Sequence, residues 1–543
     1  MKILLVALNA KYIHSNPAIY SLKAYALKKL ELKKEDSIEI AEFTINDRYE
    51  DIIAGIIERH PDMIGFSTYI WNSDMMKRVM KDIRLIDPAI KLFCGGPEAT
   101  NDPLCFLDLT DMVLLGEGEK TFTLVADSFF NGKEIQEEEW EGILTRDHIG
   151  NIIPSEMSQS EMDQIPFLYD KLEEFDNRII YYESSRGCPF RCSYCLSSLD
   201  RHVRVRNMDV VLQELKYFLD KKVKQVKFID RTFNFSKERS LLIWSFLKEN
   251  DNGITNFHFE IGADLLSDEE IELLSSLRTG LVQLEIGIQT TNVDTMREIR
   301  RVADNDKILD NVRRLRKNYN INIHTDLIAG LPLENYESFK RSFNDIYPLY
   351  ADQLQLGFLK VLKGTYMHQK KDDYKLVYMD HQPYEVFSTK WLSYEENLKL
   401  HKIADAVELF YNSQLFRNSL KYMERWFESP FDMYEALAAF LDERNLSHIG
   451  INARKKYEIL TEFALDKFKE IKNSSDTDDN KTEDDLKERE IKDIIRFDEM
   501  LHMHPNRKMT ADDYFFIDGK ERHIEFDYEN KNVVTKEVSW KEI

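Results

Sequence analysis

Short apolar runs and amphipathic stretches alternate along the first 135 residues. "KILLVAL" precedes a helix-like segment at 18–30, "IEIAEF" one at 49–59 and "MIGFST" one at 73–84, while "KLFCGG" and "MVLLGEG" lead to a helix from about 119. Strands that are apolar throughout, separated by helices with one apolar face, predict a parallel sheet covered on both sides, the doubly wound Rossmann-like arrangement. Ligands of such sheets sit beyond the carboxyl ends of the strands. Those ends read "LNAKYIHSN" (8–16), "STYIWNS" (67–73), "GGPEA" (95–99) and "GEGEK" (116–120), all small, polar or glycine-bearing. Gly95, Gly96, Gly116 and Gly118 suit either the close approach of a large flat ligand or a turn with positive φ. Four strand ends of one character favour the ligand. No G-x-G-x-x-G follows the first strand, so the dinucleotide fingerprint is absent.

Residues 137–173 are acidic and irregular, "EIQEEEWEG" among them, and read as a linker with room for one hairpin. The alternation then restarts with "IIYYESS" (179–185), "QVKFID" (225–230), "FHFEIGA" (257–263), "VQLEIGI" (282–288), "NIHTDLIA" (322–329) and "QLQLGFL" (353–359), with helical segments between them. Six strand–helix units predict a second doubly wound sheet or a partly closed barrel with its chemistry at the carboxyl ends. From about 385 the pattern is mainly helical, at 393–412, 415–426, 431–444 and 449–471. The stretch 473–485, "NSSDTDDNKTEDD", has no hydrophobic residue and reads as a disordered acidic loop. One more helix follows, and "YFFIDGKERHIEFDY" with "VVTKEVSW" predicts a small antiparallel element. The chain thus divides into a front domain (1–136), a linker (137–173), a core (174–384) and a mainly helical C-terminal extension (385–543).

Length agrees, since 543 residues exceed what one hydrophobic core organises. No run approaches the roughly 18–20 apolar residues of a membrane span, and "MKILLVALNA" runs into polar "KYIHSN" like a first strand rather than a signal peptide. Acidic residues outnumber basic ones by 97 to 74, a net charge of −23, which disfavours general nucleic-acid or anionic-membrane binding. The basic run "RHVRVR" (201–206) is the local exception, either a contact for an anionic cofactor or a solvated loop. Five cysteines, an odd number with three clustered, argue against a secreted disulfide framework and for a reducing cytoplasm.

Those three lie in "GCPFRCSYC" (187–195), as Cys188, Cys192 and Cys195, on a tight loop after a predicted strand. A structural zinc wants a fourth ligand, for which His202 is the nearest candidate. An iron–sulfur cluster held by three cysteines leaves one iron free for a substrate or cofactor. Cys94 and Cys105 read as packing residues of the front domain. In "HMHP" (502–505) the two histidines read as residues that hold no metal.

C-x3-C-x2-C with Tyr194 before the last cysteine resembles the radical SAM enzymes. "ESSRGCPFRCSYC", "FIDRTFN" (228–234), "LEIGIQT" (284–290) and "DLIAGLP" (326–332) resemble the family's strand-end motifs in order. The resemblance implies a partial (β/α)6 barrel of TIM type and a 4Fe–4S cluster on Cys188, Cys192 and Cys195. In that family the free iron chelates S-adenosylmethionine, which one electron cleaves to a 5′-deoxyadenosyl radical. Tyr194, Asp230, Glu260, Glu285, Gln289 and Asp326 are the implied contacts of S-adenosylmethionine, each also readable as a structural residue. An electron donor such as flavodoxin or ferredoxin is implied as a partner.

A doubly wound domain ahead of such a core looks like the cobalamin-binding domain of cobalamin-dependent radical SAM enzymes, with "IGFSTYIWN", "CGGPEAT" and "GEGE" in that family's order. Asn9, Ser67, Thr68, Gly95, Gly96, Glu98, Gly116 and Gly118 are then the implied cobalamin contacts. The D-x-H-x-x-G signature is missing, so a protein histidine is not expected on cobalt, and His14 reads as a solvated loop histidine. "KWLSYEENLKLHKIADAVELFYNS" (390–413) resembles the C-terminal extension of one uncharacterised group of these proteins. The expected activity is methylation of an unactivated carbon in a small-molecule or peptide substrate. A cobalamin-linked rearrangement or cyclisation, and a non-catalytic cobalamin sensor with a structural cluster, are the alternatives.

Overall fold

The structure is a computed structural model and describes residues 1–149, 152–200, 202–446, 450–474, 481–503, 514–517, 520–527 and 532–535. The chain divides into two compact units. One is Met1–Gly287 with Val293–Asn322 and Phe358–Lys390; the other is Ile288–Asn292 with Ile323–Gly357 and Trp391–Ile543.

The first unit opens with β1 (Lys2–Asn9), α1 (Pro17–Lys29), β2 (Ser37–Thr44), α2 (Tyr49–Ile57), β3 (Met63–Ser67), α3 (Ser73–Ile86), β4 (Lys91–Gly95), α4 (Pro97–Asn101), α5 (Pro103–Leu107), β5 (Met112–Leu114), α6 (Gly118–Asn131) and β6 (Ile143–Thr145). The sheet runs β2-β1-β3-β4-β5-β6, with five strands parallel and β6 antiparallel on the edge. Successive β1 residues feed two cores. Leu4, Val6 and Leu8 pack with Ile52, Ile56, Met76 and Val79 of α2 and α3; Ile3, Leu5 and Ala7 pack with Ile19, Ala26, Phe122 and Val125 of α1 and α6. This is why the strands are apolar at every position, and it is the doubly wound domain expected.

After α7 (Gln159–Met162) come β7 (Ile180–Tyr182), β8 (Ser185–Arg186), β9 (Arg204–Val205), α8 (Met208–Asp220), β10 (Gln225–Phe228), α9 (Lys237–Glu249), β11 (Asn256–Ile261), α10 (Asp268–Ser275), β12 (Val282–Gln289), α11 (Val293–Glu298) and α12 (Asn305–Arg316). β7, β10, β11 and β12 pair in parallel in that order. Here the period of two is real. Phe228, Phe257, Phe259, Leu284 and Ile286 are fully buried, whereas Lys227, Glu260 and Glu285 stand on the other face and stay partly exposed. One face of this sheet is therefore a polar surface rather than a second core.

β13 (Asn322–Ala329), α13 (Tyr336–Ile346) and β14 (Gln353–Phe358) follow, so all six strands expected of the core are strands. α14 (Tyr366–Gln369), β15 (Val377–Tyr378) and β16 (Val386–Ser388) lie in the first unit. The second unit continues with α15 (Tyr394–Ala406), which runs into a π-helical turn at Val407–Tyr411. Then come α16 (Arg417–Glu424), α17 (Pro430–Glu443), α18 (Ala453–Ser474) and α19 (Lys481–Met503). Both α18 and α19 extend into the stretch expected to be disordered, of which 475–480 lie outside the described residues. Buried Asp498 of α19 accepts hydrogen bonds from Asn418 Nδ2 (2.7 Å), Ser419 N (2.8 Å) and Ser419 Oγ (2.6 Å), tying α19 to α16. Burial pushes its carboxyl up to about 6. The expected tail element is present as β17 (Tyr514–Ile517), β18 (Lys520–Asp527) and β19 (Asn532–Thr535), paired antiparallel. His504 and Pro505 of "HMHP" lie outside the described residues.

Gly96, between β4 and α4, sits at φ +105°, and a Cβ there would lie 2.5 Å from the Thr68 carbonyl oxygen. A backbone atom cannot swing away, so Gly96→Ala is expected to cost about 1–3 kcal/mol. A fall in the thermal unfolding midpoint is the readout, and an unchanged midpoint would contradict the close approach.

Candidate cofactor site

The cysteine loop is cinched at its stem. β8 and β9 pair antiparallel, Ser185 with Val205 and Arg186 with Arg204. Gly187 at φ +95° opens the loop, and a Cβ there would lie 2.4 Å from the His202 carbonyl oxygen. Cys188 N donates to the Asp200 carbonyl (3.2 Å), and Cys195 N to the Cys192 carbonyl (3.1 Å). Ser193 anchors the far side, its N–H on the Ile299 carbonyl and its carbonyl receiving Met367 N, both at 2.8 Å. Cys188 and Cys192 are buried and Cys195 is half-buried. The Arg301 guanidinium lies 3.9 Å from Cys192 Sγ. Burial raises the Cys192 thiol, and the Arg301 charge opposes that rise.

Two sulfurs bound to one zinc at about 2.3 Å each lie at most about 4.6 Å apart. Among the described residues, the group of three or more potential ligand atoms lying within 4.8 Å of one another is Glu156, Asp200 and His202, not the cysteine triad. His202, the proposed fourth zinc ligand, belongs with the carboxylates.

A cavity of about 650 Å³ opens at the carboxyl ends of β3, β4 and β5, within the roughly 300–1,000 Å³ usual for ligand pockets. Ser67, Tyr69, Gly95, Gly96, Gly116 and Gly118 line one side, and Tyr181, Arg186, Gly187 and Leu196 the other. Leu5, Leu22, Phe93 and Leu114 add an apolar part to its lining. The cavity wall therefore includes the residues that open the cysteine loop. Glycine backbone, a hydroxyl and apolar side chains are suitable surroundings for a large flat ligand with polar edges.

Family models match the chain in three places: "B12 binding domain" over 3–126, "Radical SAM superfamily" over 182–346 and "Protein of unknown function (DUF4080)" over 372–542. The front and central segments of the chain thus match a B12-binding domain and a radical SAM domain, in that order. It is 24% identical over 352 residues to the "Uncharacterized methyltransferase PH0819" of Pyrococcus horikoshii, covering 62% of this chain and 74% of that protein. It is 25% identical over 321 residues to the "Cobalamin-dependent radical SAM methyltransferase TokK" of Streptomyces tokunonensis, covering 54% of this chain and 45% of that one. Among solved structures, the cobalamin-dependent S-adenosylmethionine radical enzyme OxsB with aqua-cobalamin and S-adenosylmethionine bound superposes with a TM-score of 0.62 at 14% identity, over 92% of this chain and 84% of that one.

Of the residues singled out for cobalamin, Ser67, Gly95, Gly96, Gly116 and Gly118 line the cavity and Asn9, Thr68 and Glu98 do not. Asn9 spends its amide on the His14 carbonyl (3.0 Å) and Glu42 Oε1 (2.8 Å). Thr68 Oγ1 donates to the Gly95 carbonyl and accepts from Ala99 N, which braces the β4–α4 turn. Glu98 accepts from Tyr384 OH at 2.7 Å, and burial raises its carboxyl. His14 differs from the solvated residue expected, because its Nδ1 lies 2.6 Å from the hydroxyl of Tyr181, a cavity residue. Cys94 packs in the front core as expected, but Cys105 is exposed. The "RHVRVR" run is neither a solvated loop nor an unpaired anion site. Arg204 pairs with Glu117 (2.8 Å) and Asp200, and Arg206 holds Glu214 through two hydrogen bonds of 2.7 and 2.8 Å; Arg201 lies outside the described residues.

In the radical SAM core, Asp230 is buried at the end of β10 and accepts from Ser184 N (2.8 Å), Ser184 Oγ (2.5 Å) and Ser185 Oγ (2.7 Å). Glu260 and Glu285 are register neighbours on the polar face. Glu285 is held by Lys227 Nζ (3.0 Å) and His258 Nε2 (3.1 Å). Although burial opposes it, those partners bring its carboxyl down to about 2. Burial dominates at Glu260 and lifts it to about 7, against the pull of Arg231 and with the push of Glu285. Tyr194 adjoins Cys192, and burial raises its phenol. In the second unit, Gln289 sits at φ +72° and Asp326 Oδ1 lies 3.2 Å from His324 Nε2. Arg301, Thr232 and Arg186 escaped the sequence reading. Thr232 Oγ1, 3.7 Å from Cys188 Sγ, follows directly on "FIDR".

Glu260 yields a signed prediction. Its folded value of about 7 lies above the ordinary 4.5, so the folded protein keeps a proton that the unfolded chain loses, and this group's stabilisation declines as pH rises from about 4.5 to 7. Glu260→Gln, measured as cofactor-free protein, should match the wild-type melting temperature near pH 4.5 and exceed it at pH 8. A difference that does not vary with pH would contradict the elevated value.

Proposed function

We propose that this chain is a cobalamin-dependent radical SAM enzyme that methylates an unactivated carbon of a small-molecule or peptide substrate. One juxtaposition carries the reading: Arg186 and Gly187 belong both to the stem of the cysteine loop and to the wall of the front-domain cavity. Two cofactor places on either side of two residues suit a reaction in which carbon activation and methyl delivery occur on one substrate.

Cys188, Cys192 and Cys195 would hold the cluster, and the cavity, with Ser67, Gly95, Gly96, Gly116 and Gly118 in its wall, would hold cobalamin. When bound, the cluster supplies the electron that cleaves S-adenosylmethionine and cobalamin carries the methyl group. The protein's own part is placement. Asp230 pins the serines ahead of the loop, Arg301 sets a positive charge beside Cys192, and Tyr194 packs against that thiol. Glu260, Glu285, Gln289 and Asp326 are the proposed polar contacts for S-adenosylmethionine. With Glu285 charged and Glu260 near its midpoint at neutral pH, the first accepts hydrogen bonds only, whereas the second also donates.

The proposed domains are 1–136 for cobalamin, 174–384 for the radical core and 385–543 for the extension, with 137–173 as linker; β6 (Ile143–Thr145) of that linker pairs with β5 and extends the front sheet beyond residue 136. No helix among the described residues is long and apolar enough to cross a membrane. A cytoplasmic setting with a flavodoxin or ferredoxin donor supplies the reducing conditions that the cluster requires.

Anaerobic reconstitution tests the reading. The protein should develop four-iron absorbance, bind added hydroxocobalamin, and release 5′-deoxyadenosine from S-adenosylmethionine under dithionite. Cys192→Ala should lower that release at least a hundredfold. Release at the wild-type rate by the variant would sink the cluster assignment, and failure of the wild type to bind cobalamin would sink the front-domain assignment.

A further inference from the structure

The two glutamates of "GEGE" are engaged by arginines. Glu119, the second residue of α6 and almost fully buried, receives Arg186 Nη2 at 2.9 Å and Nη1 at 3.3 Å, and Ser21 Oγ of α1 at 2.8 Å. Glu117, just before α6, receives Arg204 Nη1 at 2.8 Å and Met157 N at 2.6 Å, and lies 3.5 Å from Arg186 Nη1. Arg186 and Arg204 are the register pair of the β8–β9 ladder that closes the cysteine loop. Glu183 completes the set, gripping Arg186 at Nε (2.9 Å) and Nη2 (2.7 Å). Both arginines of the loop stem are therefore held by carboxylates from the front domain. Glu117, Glu119 and Arg186 also line the cavity, beside Gly116 and Gly118.

Resting on the assignment of this cavity to cobalamin, we propose that Glu117 and Glu119 are positioning residues that couple the cavity to the cysteine loop. A buried arginine shared by three carboxylates has one low-energy arrangement, because moving it leaves a charge unpaired in a poorly solvated place. A ligand pressing on the Gly116–Glu119 wall acts on the same guanidinium that fixes the loop stem. Order imposed at either site then lowers the cost of order at the other. Such coupling is reciprocal, so filling the cluster site must tighten cobalamin binding by the factor with which cobalamin tightens the cluster site.

The test is a titration with hydroxocobalamin followed by absorbance, on protein with and without the reconstituted cluster and S-adenosylmethionine. In the wild type, the cluster-loaded form should bind about fivefold or more tightly than the unloaded form. Glu119→Gln and Glu117→Gln should each bring that ratio close to one, whatever the change in their absolute affinity for hydroxocobalamin. A purely structural salt bridge would lower the melting temperature of the variants and leave the ratio untouched. A wild-type ratio of one, or variants that keep the wild-type ratio, would overturn the proposal. If Glu119→Gln does not fold, Glu117→Gln, at the more accessible position, decides it together with the wild-type ratio. Absence of any cobalamin binding by the wild type is a different failure, that of the cofactor assignment itself.

Discussion

Asp230 fixes where the chemistry begins. A carboxylate buried at a strand end is costly unless its lone pairs are filled, and three donors from Ser184 and Ser185 fill them at 2.5–2.8 Å. Hydrogen bonds to a charged group are worth roughly 1.5–3 kcal/mol each, yet burial still leaves the carboxyl above its usual range. The balance holds only while both serines stay in place. From the other side Arg239 donates to the Ser184 carbonyl at 2.8 Å and to the Arg206 carbonyl at 3.3 Å. The chain therefore leaves β7, enters β8 and reaches Gly187 along one path. Every cysteine position downstream inherits that constraint.

The polar face of the core shows how environment separates two identical side chains. Glu260 and Glu285 are in register on adjacent strands, so each repels the other's charge. Lys227 and His258 both turn to Glu285, whereas among the described residues no side-chain hydrogen bond reaches Glu260, and Arg231 acts on it by charge alone. The result is one carboxylate fixed as an anion and one poised near neutrality. Paired acids driven apart in this way are a common feature of functional sites, and here the separation arises because Lys227 and His258 both reach Glu285.

Much of this was legible in the sequence because it depends on period and spacing. Continuous apolar strands announced a sheet covered on both faces, and C-x3-C-x2-C announced a loop that gathers sulfur. What escaped were partnerships between segments far apart in the chain. Nothing local to Asn9 shows that Glu42 waits 33 residues away to accept its amide, and nothing local to His14 reveals Tyr181. "RHVRVR" could be read as solvated because Glu117, which pairs with Arg204, comes from the distant front domain. The stretch 473–485 looked disordered by composition, but helices with an apolar face, α18 and α19, enter it from both ends; those faces bury Leu460, Phe463, Ile491 and Ile494. Tertiary burial overrides a polar composition when one stripe of the helix is apolar.

The same partnerships explain how an acidic chain builds a site for sulfur ligands. Three thiolates concentrate negative charge, and a surrounding of carboxylates alone would disfavour their ionisation. The loop is instead ringed by arginines. Arg301 stands at Cys192, while Arg186, Arg204 and Arg206 stand along the stem. Each stem arginine is matched by acids: Glu119 and Glu183, Glu117 and Asp200, and Glu214. Unmatched guanidinium groups would be mobile and hydrated, and unmatched carboxylates would repel the thiolates. Pairing them produces a rigid stem with Arg301 as the cation facing sulfur. The front domain's "GEGE" acids thus belong to the electrostatics of the cysteine loop as much as to the cavity whose wall they form.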